Sequence, residues 1–147
     1  GEYRGLPHRC QLVAKQHGVR WVNDSKATNV GACIAAIEGL ANHKNIILIA
    51  GGVGKEQAFS ELSNVLSEHV KTILLIGQDA NVIAQSVPKN VTQYHVEDMA
   101  DAIKQAKADA IEGDIVLLSP ACASFDMYGS YAERGEHFIH AVEDQLS

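Results

Sequence analysis

The chain's 147 residues, 46% apolar and 20% charged, suit one soluble domain large enough to bury a core without disulfide or metal staples. A net charge of −6 argues against a nucleic-acid or anionic-membrane surface, though not against a small anion met by a few clustered cations. No apolar run approaches the roughly 20 residues of a membrane span, and three cysteines without a CxxC spacing point to a reducing compartment and no structural zinc.

Residues 1–9, GEYRGLPHR, begin on Gly and read as a linker, so the chain looks like a fragment with its folded domain over residues 10–147. Residues 10–15 and 19–23 are short, apolar and β-branched, and Gln16-His17-Gly18 separates them as in a β-hairpin. A polar run follows, Asn23-Asp24-Ser25-Lys26-Ala27-Thr28-Asn29, in which Thr28 or Asn29 can cap the next helix. That helix carries Val30, Cys33, Ile34, Ile37, Leu40 and Ala41 at three-to-four spacing. Residues 45–50 are apolar on both faces, as a buried parallel strand is, and run into Gly51-Gly52-Val53-Gly54-Lys55. A helix with Phe59, Leu62, Val65, Leu66 and Val70 on one face leads to another all-apolar strand at 72–76. A short helix at 80–86, a turn at Pro88 and Asn90, a weaker strand at 91–96 and a helix at 97–110 come next. Gly113-Asp114 turns the chain into a strand at 115–118. A helix from about 131 to 145 closes it, with Tyr131, Phe138, Val142 and Leu146 as its stripe.

Strands alternating with helices predict an α/β fold: a Rossmann-like, mostly parallel sheet with helices on both faces, preceded by a β-hairpin. Ligands of such sheets sit at the carboxyl ends of the strands. Three unusual loops, residues 23–29, 51–55 and 119–126, all follow strands. That coincidence predicts a site.

Each loop suggests its own chemistry. A helix N-terminus favours anions, and Lys26 adds a full positive charge just before it; taken alone, though, the loop reads first as a capped surface turn. The glycine run fits neither nucleotide fingerprint. A P-loop needs Gly at position 49 and Ser or Thr at 56, where the chain has Ile49 and Glu56, and G-x-G-x-x-G fails after Gly54. What remains is a pliant backbone projecting Lys55, or else a solvated lysine. In the third loop small side chains let backbone N–H groups approach a ligand, and Ser124 offers a hydroxyl. Cys122 has no histidine placed to activate it, and His137 with His140 lacks the acid and third ligand of a zinc site. Lys26, Thr28, Lys55 and Ser124 together suit one or two carboxylates or phosphates. They supply no acid–base pair, so the residues alone describe the anion-binding domain of an α/β enzyme whose chemistry lies elsewhere. The alternative is a stand-alone small-anion or nucleotide-binding module without turnover. A nicotinamide oxidoreductase domain is disfavoured by the missing fingerprint.

In this order, GLPHR, VNDSKATN, AGGVGK, LLSPACASFD and SYAERG resemble the C-terminal domain of the Mur ligases, in the form that adds D-glutamate, from about Gly5 onward. Sister Mur ligases and folylpolyglutamate synthases share the fold but usually carry an aspartate-tyrosine loop in place of DSKATN. The resemblance implies a three-domain ligase of cytoplasmic peptidoglycan synthesis that depends on ATP and Mg2+. In such an enzyme the carboxylate of UDP-N-acetylmuramoyl-L-alanine is phosphorylated, and the amine of D-glutamate attacks the acyl phosphate. By motif position, Thr28 and Lys55 are expected to hold one D-glutamate carboxylate. Ser124, with the backbone N–H groups of Phe125 and Tyr131, is expected to hold the other; Phe125 stands where leucine is usual. Arg9 and Asp24 are expected to reach ATP, Asp24 through the ribose hydroxyls and Arg9 through ribose or phosphate, with Lys26 facing phosphate. No catalytic residue or metal ligand is expected in this domain. The P-loop, magnesium ligands and uridine site belong to the N-terminal and central domains, its partners in the same chain.

Overall fold

A computed structural model describes residues 8–52, 59–77, 79–122 and 129–146. The chain opens with β1 (Gln11–Gln16) and β2 (Val19–Asn23), antiparallel, with Gln16 opposite Val19. His17 and Gly18 turn between them at φ 54° and 76°, the two-residue hairpin turn whose twist matches that of the paired strands. There follow α1 (Val30–Leu40), β3 (Ile46–Gly51), α2 (Leu62–His69), β4 (Val70–Ile76) and α3 (Ala80–Ala84). The chain finishes through β5 (Thr92–His95), α4 (Met99–Asp109), β6 (Ile115–Leu118) and α5 (Tyr131–Leu146). The sheet order is β1-β2-β6-β3-β4-β5, and every pair after the hairpin is parallel. The fold expected from the alternation is the one observed.

Successive strand residues point to opposite faces, and both faces here are covered. Ile46, Leu48, Ile73, Leu75, Ile115 and Leu117 pack with Cys33 and Ile37 of α1, Leu62 and Leu66 of α2 and Ile83 of α3. Ile47, Ile49, Leu74, Ile76, Val116 and Leu118 pack with Ile103 and Ala106 of α4 and Phe138 and Val142 of α5. That is why these strands are apolar without alternation. Each such side chain fully removed from water contributes about 1.5–3 kcal/mol. β5 is different: Thr92, Gln93, Tyr94 and His95 are all exposed on an outer strand of the sheet.

Local signals set the helix ends. Asn29, not Thr28, caps α1, its carboxamide oxygen accepting the Ala32 N–H at 2.9 Å; Asp98 does the same for α4 through Asp101 at 2.8 Å. At the C-terminus of α5, Gln16 and Lys107 donate to the Leu146 and Gln145 carbonyls at 2.9 and 2.7 Å, satisfying groups a helix end leaves unpaired. Two sequence expectations change. Val70 begins β4 instead of ending α2, because it pairs with Ile46 in the sheet. Tyr131 is 37% exposed, and the buried face of α5 is made instead by Arg134, Gly135, Phe138, Ile139, Ala141 and Val142. No helix among the described residues is long and apolar enough to cross a membrane.

The connections decide where a ligand can enter. After β3 the chain moves to β4 through α2; after β6 it moves to α5, which packs on the opposite face against β1 and β2. The chain therefore diverges between the adjacent ends of β3 and β6, the switch point at which such sheets open a crevice.

Candidate functional site

β2, β6 and β3 end side by side, Asn23 beside Leu118 and Leu118 beside Ile49. Beyond those ends the backbone laces the outgoing chains together. Asp24 N–H donates to the Leu118 carbonyl at 2.7 Å, Ser119 N–H to Ile49 at 3.2 Å, and Gly51 N–H to Pro120 at 3.0 Å. Ala121 N–H reaches the Ala27 carbonyl at 2.9 Å from a φ of 65°, a left-handed conformation that costs a non-glycine residue about 1–3 kcal/mol. The starts of all three loops thus form one surface. Lys55, Ser124 and Phe125 lie outside the described residues.

Asp24 is buried at the centre of this surface. Its Oδ1 accepts the Cys10 N–H at 3.0 Å and its Oδ2 the Ser119 hydroxyl at 3.1 Å. Burial lifts its pKa above the ordinary carboxylate value; the Cys10 N–H, the Ser119 hydroxyl and the Arg9 charge oppose the rise without cancelling it. The carboxylate borders a cleft of about 290 Å³ lined by the charged Arg9, Asp24 and Lys26 and by the small Ala32, Ala35 and Ala36 of α1. The three residues assigned to a nucleotide therefore share one cleft. A fixed carboxylate can accept from a pair of ribose hydroxyls, and two cations suit phosphates, so the donor set fits ATP. Among the described residues no group of three or more His, Cys, Asp or Glu side chains could hold a metal ion.

Cys10 lines the same cleft with part of its surface exposed, and its thiol is pushed up from 9.0 to about 11, first by partial burial and then by the Asp24 charge and hydrogen bond. At pH 8 that leaves about a hundredfold less thiolate than an ordinary cysteine carries. Iodoacetamide should therefore label Cys10 in the native chain about a hundredfold more slowly than in the urea-unfolded chain. Asp24→Asn should speed the native reaction. Equal native and unfolded rates would show that neither burial nor Asp24 holds the thiol protonated, and an unchanged rate in Asp24→Asn would show that Asp24 does not.

Beneath the loops lies a polar bed that sequence reasoning missed. The Asn23 amide donates to Gln11 Oε1 at 3.0 Å and accepts the Ser25 N–H at 3.1 Å, an orientation that presents its NH2 to His8 Nδ1 at 2.9 Å. His8 Nδ1 is then an acceptor. The His8 carbonyl takes the Lys26 N–H at 2.9 Å, and its ring meets Tyr131 edge-on, with centroids 6.1 Å apart. Gly135 makes room for that ring: a Cβ there would fall 2.1 Å from His8 Nδ1. Arg134, buried, donates from Nε to the Ser25 hydroxyl at 3.0 Å, from Nη2 to the Ser25 carbonyl at 2.9 Å and from Nη1 to the Cys122 carbonyl at 3.0 Å. One signal was available: Arg134 stands in line with Phe138 and Val142 at four-residue steps, a charge on an apolar stripe.

The remaining assigned residues sit around this bed. Lys26 is exposed, with its ammonium 5.8 Å from the Tyr131 ring centroid, within reach of a cation–π contact. Thr28 is half-buried, and its N–H donates to the Lys26 carbonyl at 2.9 Å. Tyr131 opens α5, and its carbonyl accepts the Ser25 hydroxyl at 2.7 Å.

Residues 8–122 match the family described as Mur ligase, glutamate ligase domain. Over 145 residues, 99% of the chain, the sequence is 50% identical to the UDP-N-acetylmuramoylalanine--D-glutamate ligase of Nitrosococcus oceani. Over 144 residues, 97% of the chain, it is 51% identical to the ligase of the same name from Saccharophagus degradans. In both cases the chain spans only 32% of the relative's length. Among solved structures it is similar to the MurF ligase from Thermotoga maritima in complex with ADP, at a TM-score of 0.65 and 18% identity. A bifunctional folylpolyglutamate synthase/dihydrofolate synthase from Yersinia pestis gives 0.64 and 21%. Each superposition covers 97% of this chain and 32% of the other. At such identities these two show a shared fold and nothing finer.

Proposed function

The chain belongs to the Mur ligase family, matching its glutamate ligase domain, and from that premise we propose that it is the C-terminal, D-glutamate-binding domain of an ATP-dependent ligase. That ligase joins D-glutamate to UDP-N-acetylmuramoyl-L-alanine in cytoplasmic peptidoglycan synthesis. The observation that carries this reading is the convergence of Asp24, Arg9, Lys26 and the Thr28 loop with the starts of two further loops at the sheet's switch point.

When bound, ATP with Mg2+ supplies the phosphoryl group that turns the UDP-substrate's carboxylate into an acyl phosphate open to the D-glutamate amine. This chain's residues position the reactants. Asp24, anchored on both oxygens, offers the ribose a rigid acceptor, and Arg9 and Lys26 offset phosphate charge. Thr28 and Lys55 take one carboxylate of D-glutamate; Ser124 and the backbone N–H groups of Phe125 and Tyr131 take the other. With both carboxylates held, the amine has one direction in which to point, and orientation is the domain's contribution to rate. The segment before His8 serves as the linker to the preceding domains, where the P-loop, the magnesium ligands and the uridine site lie; His8 and Arg9 already belong to the site.

Steady-state kinetics of Asp24→Ala in the full-length protein test this division of labour. KM for ATP should rise by about tenfold, the worth of a charged hydrogen bond, and KM for D-glutamate by much less. If only the D-glutamate value moved, the nucleotide assignment of Asp24 would be wrong.

A further inference from the structure

We infer that Arg134 is a positioning residue that sets the separation of the two segments which, on the function proposed above, grip opposite ends of D-glutamate. Arg134 sits near the start of α5 and is 3% exposed. Its planar guanidinium divides its donors between two loops. Nε and Nη2 bind the hydroxyl and carbonyl of Ser25 at 3.0 and 2.9 Å, and Nη1 binds the carbonyl of Cys122 at 3.0 Å. Ser25 precedes Thr28 by three residues, and Cys122 precedes Ser124 by two.

A rigid fork bonded to both segments fixes the distance between them, which a flexible single-point cation cannot do. The Ser25 hydroxyl extends the restraint to Tyr131, donating to its carbonyl at 2.7 Å. A carboxylate grip on either side inherits its position from this fork. On the nucleotide side Ser25 is the chain neighbour of Asp24, but the Asp24 carboxylate has anchors of its own, the Cys10 N–H and the Ser119 hydroxyl, and neither bond involves Arg134. Arginine here therefore acts first on the span between two carboxylates, and on the nucleotide only through whatever shift of Ser25 the Asp24 anchors do not absorb.

That separation gives a readout specific to positioning, the discrimination of acidic amino acids by length. The test compares wild type, Arg134→Lys and Ser25→Ala in the full-length protein, following ADP release with D-glutamate, D-aspartate and D-2-aminoadipate as acceptors. Arg134→Lys should raise KM for D-glutamate about tenfold, hold KM for ATP within about twofold, and narrow the preference for D-glutamate over both homologues. Ser25→Ala keeps the two carbonyl bonds and should move the same quantities in the same direction by about threefold. A purely structural arginine would lower the melting temperature and the amount of active enzyme while leaving the KM split and the homologue ratios at wild-type values. That result overturns the inference. Should Arg134→Lys not fold, Ser25→Ala decides by the same two readings. Wild-type protein without D-glutamate-dependent ADP release overturns the proposed function and this inference together. Normal wild-type turnover with unchanged homologue ratios in the variants overturns this inference alone.

Discussion

Lys55→Met in the full-length protein is expected to remove most use of D-glutamate while leaving the melting temperature nearly unchanged. Gly51 ends β3 at the switch point with its N–H on the Pro120 carbonyl, and Lys55 follows four residues later in the sequence. Under the proposed function its ammonium meets a substrate carboxylate in a site that the other domains close off from water. A charged hydrogen bond of that kind contributes about 1.5–3 kcal/mol, on the order of 10–150-fold in kcat/KM. Deleting one partner also leaves the carboxylate unpaired in a poorly solvated place, which enlarges the loss. Methionine keeps most of the stem, so packing by the aliphatic part is retained. Steady-state kinetics beside thermal melts separate the outcomes. Wild-type kcat/KM for D-glutamate would make Lys55 a solvated surface lysine, and a large fall in melting temperature would make it structural.

Gly51→Ala is expected to lose at least about 3 kcal/mol of stability, a large share of what a domain this size has. Gly51 ends β3 at φ +134°, a region side chains rarely adopt, and a Cβ there would lie 1.8 Å from the Ile76 carbonyl oxygen. Its neighbour is the backbone of β4, which pairs with β5 up to Leu75 and with Gly51 itself at Ile76, so what it meets is main chain and not a flexible side chain that could yield cheaply. Two other glycines supply the controls. Gly113 has open space but a φ of +96°, so alanine there meets backbone strain alone, about 1–3 kcal/mol. Gly39, in α1, has neither obstacle, and Gly39→Ala should stabilise by about 0.5–1 kcal/mol through lower unfolded-state entropy and better helix propensity. Urea unfolding of the three variants should order them Gly39, Gly113, Gly51. A Gly51→Ala loss below about 1 kcal/mol would mean that the close approach to Ile76 is relieved by a backbone shift.

The elements whose physics is local were legible in the sequence. Residues 46–50, 72–76 and 115–118 are apolar at every or nearly every position, and only a strand covered on both faces can bury them all. The hairpin followed from two short strands around His17-Gly18, and the helix after residue 29 from its spacing and its capping side chain. The gathering of the three loop starts was readable too, because strand-to-helix loops of unusual composition recur in an alternating pattern, and the chain's direction puts them all at one edge.

Tertiary structure decided the rest. The order β1-β2-β6-β3-β4-β5 seats the end of β6 between those of β2 and β3, which is why Ser119 meets Asp24 across 95 residues and Arg134 meets Ser25 across 109. No local propensity encodes bonds over such separations. Arg134's place on the apolar stripe of α5 hinted at burial, but what it binds is decided only when the loops fold over it. Tyr131 shows the converse: its position suggested the apolar stripe, yet the space beneath the start of α5 belongs to Arg134 and, above Gly135, to the ring of His8. Periodicity reports which face of a helix is apolar on average. Which single side chains that face buries depends on what the opposing surface needs, and here that surface is a bed of polar loops whose carbonyls had to be satisfied.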